Sequence, residues 1–530
     1  MIRIRKIVVL SFTLVAVWFS LTFAQSAPPQ DWFLLDPSTD HYNGVSAERA
    51  YNELLKGKTS QTVIVAVIDG GIDVTHEDLK SKIWTNPKEI PDNKIDDDKN
   101  GYVDDVHGWN FIGGKNGSVQ YDQFELTRLY KQLNQKYGNV TTASNGDPQY
   151  QQYQDIKQEF DQKSAESLIN YKFYKGLSDH MDSIFKAAGN KNPTVDQLEN
   201  LTVPDSLQRA KLILIQYMKE GNSAADLYDD LKEAVNEVSA DAQYHYNVDY
   251  NSRTIVGDNY DDASEKYYGN SDVAGADPMH GTHVAGIIAA DRNNNIGIKG
   301  IADNVKILVV RAVPDGDERD KDIANSIRYA VDNGAKVINM SFGKAYSYNK
   351  KAVDDAMKYA EEHDVLLVHG AGNDAENADA NKVFPNKFFE DGGVANNFIN
   401  VGASKWDNNV AMFSDYGKKN VDLFAPGVSI YSTVPGNKYR NLQGTSMASP
   451  MVAGVAAMLR SYFPSLTAPQ VRDILIKSCT KMKGKVALPG NEGDSKSDQK
   501  TKMVKWKDLC VSGGIVNAYN AVKLAEKKAK

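Results

Sequence analysis

The amino-acid sequence predicts an α/β protein with a doubly wound parallel sheet and an inserted, mainly helical subdomain. Short apolar runs alternate with amphipathic stretches of helical length in the second half of the chain, at 307–313, 323–332, 336–340 and 353–363. Such alternation is typical of βαβ units built around a parallel sheet. The segment 114–250 instead is rich in Gln, Lys, Glu, Tyr and Leu and has apolar residues at helical intervals. We therefore expect helices there.

The first 24 residues predict a secretory signal peptide. A basic head with Arg3, Arg5 and Lys6 precedes an apolar run, and small residues follow that run. This order is typical of a cleaved signal. The alternative is an uncleaved membrane anchor, because the run is near the shortest length that spans a bilayer. With cleavage, the mature protein begins near Gln25, has no stable membrane anchor and is secreted or periplasmic.

The charge balance argues against two classes of partner. The 530 residues carry a formal net charge of −8, with 61 Lys and Arg against 69 Asp and Glu. Nucleic acids and anionic membranes attract basic surfaces, so we expect neither as a partner.

Three polar side chains follow or open elements that are predicted to meet at one edge of the sheet. A β-branched run at 62–68 ends at Asp69, and parallel strands place ligands at their carboxyl ends. His280 opens a helix of small residues and can face that strand end. A third strand, 365–368, runs into glycines and leaves Asn373, whose amide can donate to an oxyanion.

A serine completes this group. Ser446 lies in GTSMASP, directly before an apolar run with helical spacing. We expect it at a helix N-terminus, where backbone N–H groups favour a developing negative charge. Because a serine hydroxyl alone is a weak nucleophile, it needs a base, an orienting carboxylate and an oxyanion donor. His280, Asp69 and Asn373 are the candidates for these three functions.

Four motifs carry a family resemblance: VAVIDGGID, HGTHVAG, AGND and GTSMASP. They occur in the order Asp, His, Asn and Ser, and with them the sequence resembles the subtilases, the subtilisin-like serine proteases. The resemblance covers roughly residues 32–113 and 255–524. It implies a subtilisin-like sheet in which Ser446 is the nucleophile, His280 the general base and then acid, and Asp69 the carboxylate that orients His280.

The resemblance also implies two further roles and shows one departure. Asn373 is implied to be the oxyanion donor, and His283 is implied to be structural. Gly70 follows Asp69 at a position where the family more often has Ser or Thr. This departure weakens the hydrogen bonding expected around the carboxylate.

The resemblance implies a discontinuous peptidase domain, made of 25–113 and 251–530, with the helical insertion 114–250 between its two parts. Breaks near 146–148, 189–193 and 221–222 predict a few antiparallel helices in the insertion. One interpretation is a subdomain that buries its own core. Another is that the insertion overhangs the cleft, because both its ends return near the active site; the two are compatible.

An acidic loop predicts a calcium site. Alternating carboxylate and amide oxygens, with a glycine at the sharp turn, partly match a calcium-binding loop. His107 stands where a full EF-hand has its bidentate Glu, so a solvated acidic turn is the alternative. Structural calcium is frequent in subtilases, which favours the metal. The predicted ligands are Asp96, Asp98, Asn100, Tyr102 through its carbonyl, and Asp104.

Two further segments resemble the substrate-binding walls of the family. One follows a strand and resembles the segment that pairs with the substrate backbone: Ser341, Phe342 and Gly343. The other would form the opposing wall of the primary specificity pocket: Gly370, Ala371 and Gly372. Without the resemblance, each segment would be a simple turn from strand to loop.

The two cysteines lie on either side of a polar segment. Residues 481–505 are rich in Gly, Lys, Asp and Ser and predict an exposed loop. Cys479 and Cys510 can form one disulfide that closes about 30 residues, which is consistent with an extracytoplasmic protein. Two independent buried thiols are the alternative.

These observations predict a secreted serine endopeptidase that hydrolyses polypeptide substrates through an acyl-enzyme. No cofactor is expected for catalysis, and calcium is expected only in a structural role. Two alternatives remain open. A peptide ligase or acyltransferase could use the same residues, and an inactive protease scaffold could serve as a binding protein.

Overall fold

The computed structural model describes residues 28–140, 146–221, 223–490 and 501–529. The predicted signal peptide, 1–24, lies outside the described residues. The chain divides into two compact units, one of them containing Leu126–Tyr250 and the other Ala27–Glu125 and Asn251–Lys530. The helical unit thus begins at Leu126 rather than at residue 114, because residues 113–118 form a short hairpin of the larger unit.

The strands are as follows: β1 Val63–Asp69, β2 Gly108–Asn110, β3 Gly113–Gly114, β4 Gly117–Ser118, β5 Val305–Arg311, β6 Val337–Met340, β7 Leu366–Gly370, β8 Phe398–Ser404, β9 Leu423–Pro426, β10 Ile430–Val434, β11 Lys438–Leu442, β12 Thr480–Lys481, β13 Lys485–Ala487, β14 Met503–Lys505 and β15 Gly514–Ile515.

The α-helices are as follows: α1 Ala47–Arg49, α2 Glu125–Tyr137, α3 Pro148–Ala188, α4 Val195–Asn200, α5 Asp205–Lys219, α6 Ala224–Ala240, α7 Arg253–Val256, α8 Met279–Ala289, α9 Asp320–Asp332, α10 Lys350–Glu362, α11 Thr445–Tyr462, α12 Ala468–Ser478 and α13 Ala518–Lys528. Trp32–Leu34 and Trp506–Asp508 are 3₁₀ turns, and Ala50–Leu55 and Asp241–His245 are π-helical continuations.

The larger unit is built on a nine-stranded sheet in the order β12-β15-β9-β8-β7-β6-β1-β5-β2. All neighbouring strands from β15 to β2 are parallel, and β12 pairs antiparallel with β15. Strand β1 aligns with β6 so that Ile68 lies beside Met340, and β6 aligns with β7 so that Met340 lies beside His369. The residues that follow, Asp69, Ser341 and Gly370, therefore lie at one edge of the sheet.

Helices cover both faces of this sheet. Along β1, Val65 and Val67 contribute to one buried cluster, and Ala66 and Ile68 to another. The first cluster also contains residues of α8, α11, α12 and α13, whereas the second contains residues of α9 and α10. Because successive strand residues point to opposite faces, this division confirms the predicted doubly wound sheet.

The helices of the helical unit begin and end where the sequence predicts breaks. Asp147 caps α3 by accepting a hydrogen bond from the Gln149 N–H, and Gly189 ends α3 in a left-handed conformation. Thr194 opens α4 with a reciprocal capping box to Gln197. These local signals define where the helices begin and end, independently of their packing.

The core of the helical unit is smaller than the apolar pattern predicts. Met181, Ile184 and Leu214 are almost completely buried, but Phe173 is 56% exposed and Leu212 is 61% exposed. Helix α3 has 41 residues, whereas α5 and α6, which contact it, have 15 and 17. At a rise of about 1.5 Å per residue, neither partner can cover all of α3.

The C-terminal polar segment contains a hairpin, so the expectation of a loop throughout 481–505 is wrong. Strands β13 and β14 pair antiparallel with Val486 opposite Val504. Val486 is buried in a small cluster with Trp506 and Leu509. The apolar residues between lysines thus anchor the segment, and 491–500 lie outside the described residues.

Among the described residues, no helix combines the length and the apolar character that a membrane span requires.

Candidate active site

A buried carboxylate and an imidazole meet at the carboxyl end of β1. Asp69 is 3% exposed, and its two carboxylate oxygens lie 2.8 and 3.0 Å from Nδ1 of His280, in the first turn of α8. An ionised carboxylate only accepts hydrogen bonds, so Nδ1 carries the proton and Nε2 is left as the basic nitrogen. The Gly70 N–H also donates to Asp69 at 2.8 Å, so glycine at this position still supplies a backbone donor.

Small residues allow α8 to approach the end of β1. A Cβ on Gly281 would lie 2.2 Å from the carbonyl oxygen of Gly71 and 3.2 Å from Cβ of Asp69. Thr282 then accepts a hydrogen bond from the Asp73 N–H at 2.8 Å. This close contact fixes His280 against its carboxylate.

Ser446 lies in the first turn of α11 and contacts the residue that follows β6, the strand next to the one that ends at Asp69. Its Oγ donates to the carbonyl oxygen of Ser341 at 3.2 Å, and Ser341 Oγ donates to the Ser446 carbonyl oxygen at 2.9 Å. Because Ser341 follows β6 and Asp69 ends the adjacent β1, Ser446 and Asp69 lie at the same edge of the sheet. Helices α8 and α11 also pack against each other.

Two residues that the sequence analysis did not single out, Asn339 and Ser449, form a hydrogen-bond network with Ser341, the residue that contacts Ser446. Asn339 Nδ2 donates to Ser341 Oγ at 3.0 Å, and Ser449 Oγ donates to Asn339 Oδ1 at 2.7 Å. Both Asn339 and Ser449 are fully buried. Ser449 belongs to the GTSMASP motif, which was the available signal for this network.

Asn373 is held beside the serine by the preceding residue of the helix. Its Oδ1 accepts hydrogen bonds from the Thr445 N–H at 2.9 Å and from Thr445 Oγ1 at 3.1 Å. These bonds define which side-chain atom is the oxygen. Within the described parts of the chain, nothing accepts a hydrogen bond from Nδ2, so this group can donate to a developing oxyanion at the Ser446 helix terminus.

The two histidines of the same helix have opposite electrostatic environments. Burial lowers the pKa of His280, but the charge and hydrogen bond of Asp69 outweigh it, and the net pKa is raised above its ordinary value. His283 is completely buried, and its Nε2 donates to the carbonyl oxygens of Ile430 and Arg440, each at 3.0 Å. Burial lowers its pKa to about 4. His280 is suited to proton transfer, and His283 to a neutral, structural position.

The predicted substrate walls lie at the ends of β6 and β7. Gly343 is exposed, Phe342 is half-buried and Ser341 is buried through its contact with Ser446. On the opposite segment, Ala371 has no exposed surface, and its N–H donates to the Val401 carbonyl oxygen. A substrate therefore cannot contact the Ala371 side chain; Gly370 is buried as well, and Gly372 is the partly exposed residue of the three.

The acidic loop brings together two of the predicted metal ligands and one further carboxylate. Glu89, Asp96 and Asp98 each offer an oxygen, and these oxygens lie within 4.8 Å of one another. Glu89 is 7% exposed, and its Oε2 has no hydrogen-bond partner among the described residues. A buried, unpaired carboxylate oxygen facing two more carboxylates fits a hard cation such as calcium. Glu89 lies outside the acidic loop motif, so the sequence pattern did not identify it as a ligand.

The remaining predicted ligands make contacts within the loop. Asn100 Oδ1 accepts from the Tyr102 N–H at 2.8 Å, and Asp104 Oδ2 accepts from the Lys94 N–H at 2.9 Å. Asp104 Oδ1 is buried and has no partner among the described residues, but Asp104 is not part of the three-carboxylate group.

Both cysteines are free, buried thiols, which favours the second of the two alternatives from the sequence. Cys479 Sγ donates to the Leu475 carbonyl oxygen at 3.2 Å, and Cys510 Sγ lies 3.5 Å from Ser512 Oγ. Burial raises the pKa of Cys479 to about 12.

A serine at a helix N-terminus and an imidazole bound to a buried carboxylate are the types of group that serine hydrolases use. The comparisons with known proteins identify the family. The model of the subtilase family matches residues 60–500, so the chain belongs to the subtilase family.

Several bacterial proteases are similar to part of the chain. The thermophilic serine proteinase of Bacillus sp. (strain AK1) is 45% identical over 190 residues, which are 35% of this chain and 44% of that protein. Subtilisin DY of Bacillus licheniformis is 40% identical over 207 residues, 38% of this chain and 71% of that protein. Alkaline elastase YaB of Bacillus sp. (strain YaB) is 39% identical over 204 residues, 38% of this chain and 50% of that protein. The matches thus span about half the length of two of these three relatives.

A solved protease structure from Pseudoalteromonas arctica aligns with 94% of this chain and 100% of its own, at 20% identity and a TM-score of 0.47.

Proposed function

We propose that this subtilase is a serine endopeptidase in which Ser446, His280 and Asp69 form the catalytic triad. The observation that carries the proposal is the contact of His280 Nδ1 with both oxygens of the buried Asp69. Asp69 ends β1, and Ser446 contacts the residue that follows the neighbouring strand β6. The contact between His280 and Asp69 fixes the tautomer and leaves Nε2 as the base. Membership of the subtilase family supports the same assignment.

In the proposed acylation step, Ser446 Oγ bonds to the scissile carbonyl carbon while its proton moves to His280 Nε2. Asn373 Nδ2 and the Ser446 N–H donate to the oxyanion that forms. Asp69 stabilises the imidazolium without taking its proton. When the tetrahedral intermediate collapses, the carbon–nitrogen bond breaks and His280 gives the proton to the leaving amine.

In the proposed deacylation step, a water molecule takes the place of the leaving amine. His280 accepts a proton from the water as its oxygen attacks the acyl carbon, and then returns that proton to Ser446 Oγ. The product is a free carboxylate and the resting enzyme.

We propose polypeptides as substrates. The exposed Gly343 lies just beyond the end of β6, where an extended peptide can pair with the backbone as an added strand. The related bacterial proteases support this substrate class.

Peptide hydrolysis followed by mass spectrometry tests the proposal. Wild-type protein should cut an unstructured polypeptide internally, and Ser446→Ala should remove this activity. Asn373→Ala should lower kcat by about 10²–10³-fold, which is the known loss when the oxyanion-hole asparagine of a subtilisin is removed. Stable binding of the polypeptide without any cleavage by the folded wild type would instead indicate an inactive scaffold.

The same assay separates hydrolysis from acyl transfer. With an added amine nucleophile, a hydrolase should still give mainly carboxylate products at low amine concentration. Predominant amide products under those conditions would indicate a ligase or acyltransferase.

We also propose that the acidic loop binds structural calcium through Asp96 and Asp98, with Glu89 as a third carboxylate. The remaining candidates are Asn100, the Tyr102 carbonyl and Asp104. Calcium at a hundredfold excess over its Kd should raise the free energy of unfolding by about 2.7 kcal/mol. Thermal unfolding in calcium and in a chelator measures this effect.

Two variants make the calcium test specific. Glu89→Gln should remove most of the calcium-dependent rise in Tm. Asp92→Asn, which changes an exposed carboxylate of the same segment, should keep it. Equal Tm values of the wild type in calcium and in chelator would contradict the proposal.

We propose secretion as the location, on the basis of the first 24 residues. Expression with the complete N-terminus should yield an extracytoplasmic protein whose intact mass begins near Gln25. A product that retains residue 1 would contradict cleavage and indicate the anchor alternative.

A further inference from the structure

The loop that carries Asn373 is built on a neighbouring segment, 413–416. It leaves β7 after Gly370 and contains Ala375 in a left-handed conformation, with φ of +58°. The Ala375 N–H donates to the Phe413 carbonyl oxygen at 2.9 Å, and the Tyr416 N–H donates to the Glu376 carbonyl oxygen at 3.0 Å. A strained loop of this kind depends on such outside contacts for its shape.

Asp415 contacts the residues on both sides of Asn373. Its N–H donates to the Gly372 carbonyl oxygen at 3.0 Å. Its side-chain Oδ1 accepts hydrogen bonds from the Asp374 N–H at 3.1 Å and from the Glu376 N–H at 2.8 Å. One buried residue, only 1% exposed, therefore holds the peptide groups that precede and follow the oxyanion residue.

The side chain of Asp415 also packs directly against the loop. Gly372 has φ of +117°, and a Cβ there would lie 2.2 Å from Asp415 Oδ2. No other residue type fits between the carboxyl group and the loop without displacement. The carboxyl group therefore limits the position of the Gly372 peptide as well as that of Asp374.

We propose that Asp415 is a positioning residue for Asn373, which it holds in the geometry that stabilises the oxyanion. This inference rests on the proposed function. A shift of about 1 Å in a catalytic group can cost about 10²-fold in rate. Because the oxyanion forms only in the transition state, the loss should fall on kcat, whereas KM should hardly change.

The charge of Asp415 indicates which substitution should preserve its function. Burial raises the pKa of this carboxyl group to about 7, the Glu376 N–H opposes that rise, and the nearby charges of Asp374 and Glu376 add to it. The group is thus partly neutral at neutral pH. Asparagine has the same shape and keeps an acceptor oxygen, so Asp415→Asn should retain positioning.

A double-mutant cycle with Asn373→Ala tests the proposal, with kcat and KM measured on a peptide substrate. Asp415→Ala should lower kcat by about 10–10²-fold and leave KM within about threefold of wild type. Asp415→Asn should restore kcat to within about threefold of wild type. In the Asn373→Ala background, Asp415→Ala should have almost no further effect, because the group that it positions is gone.

Control variants separate positioning from a general loss of structure. Asp379→Ala removes an exposed carboxylate that also binds two backbone N–H groups, those of Lys419 and Asn420, and it should leave kcat unchanged. Asp415→Ser, whose side chain is too short to reach both N–H groups, should repeat the alanine result if Asp415→Ala does not fold. Active-site titration with a fluorophosphonate corrects every kcat for the folded fraction.

Three outcomes would overturn the proposal, and they can be told apart. If the wild type does not cleave peptides, the proposed function fails; if it does but Asn373→Ala does not lower kcat, Asn373 is not the oxyanion donor and the positioning proposal fails while the proposed function stands. If Asn373→Ala lowers kcat but the Asp415 effects are absent, or multiply fully with those of Asn373→Ala, the function stands and Asp415 is only structural.

Discussion

Replacing Gly281 by alanine should separate His280 from Asp69. The new Cβ would lie 2.2 Å from the Gly71 carbonyl oxygen, whereas ordinary contacts begin near 3.4 Å. The start of α8 must therefore move by about 1 Å relative to the end of β1. The neighbouring atom is backbone, so no side-chain rotation can relieve this contact.

The size of the effect follows from this displacement. A shift of about 1 Å would lengthen the 2.8 Å contact between His280 and Asp69 to nearly 4 Å, beyond hydrogen-bonding distance. We expect kcat/KM to fall by about 10²–10⁴-fold, between the cost of misplacement and that of losing the carboxylate. The acidic limb of the pH profile should also move to lower pH, because Asp69 is what raises the pKa of His280 against the effect of burial.

Steady-state kinetics on a peptide substrate, with active-site titration, measure both effects. The matched control is Gly176→Ala, in the interior of α3, where a Cβ meets nothing within 4 Å. It should keep full activity and raise stability by about 0.5–1 kcal/mol. If folded Gly281→Ala kept kcat/KM within about threefold of wild type, the argument that this glycine brings the base to its carboxylate would be refuted.

Three further predictions concern charge and burial. Asp69→Asn should lower kcat by about 10⁴-fold, and pH–rate profiles should show the acidic limb shifted to lower pH. His283 has its pKa lowered to about 4 by burial, so the folded state loses stability as pH falls from about 6.5 to 4, by about 3 kcal/mol. Denaturant unfolding of His283→Gln should lack this component, and an equal pH dependence of both proteins would contradict it. Cys479, with its pKa raised to about 12 by burial, should not react with iodoacetamide at about pH 8 until the protein is unfolded, and should then react without a reducing agent.

The sequence predicted the sheet well because its strands are short apolar runs with clear ends. β1, β6 and β7 are buried on both faces, and their apolar runs stop close to the sheet edge. The end of β1 determines the position of Asp69, and the N-terminus of α11 determines that of Ser446. Local patterns of this kind depend on few neighbouring residues, so they can be recognised without knowledge of the tertiary structure.

Contacts between distant segments were not predictable in the same way. Asp415 lies far along the chain from Asn373, and nothing in its own neighbourhood marks it as a support of the oxyanion loop. Glu89 precedes the acidic motif that its carboxylate faces. The exposed Phe173 shows the opposite error, because helical periodicity identifies a face of α3 but not how far its partners extend along it.

The most direct test of the central claim is the intact mass of the protein after reaction with a fluorophosphonate, for the wild type and for Ser446→Ala. An activated serine should add one phosphonyl group to the wild type, and peptide mapping should place it on Ser446. The alanine variant should remain unmodified while it keeps the wild-type Tm. An unmodified, folded wild type, or an adduct that persists in Ser446→Ala, would contradict the assignment of Ser446 as the nucleophile.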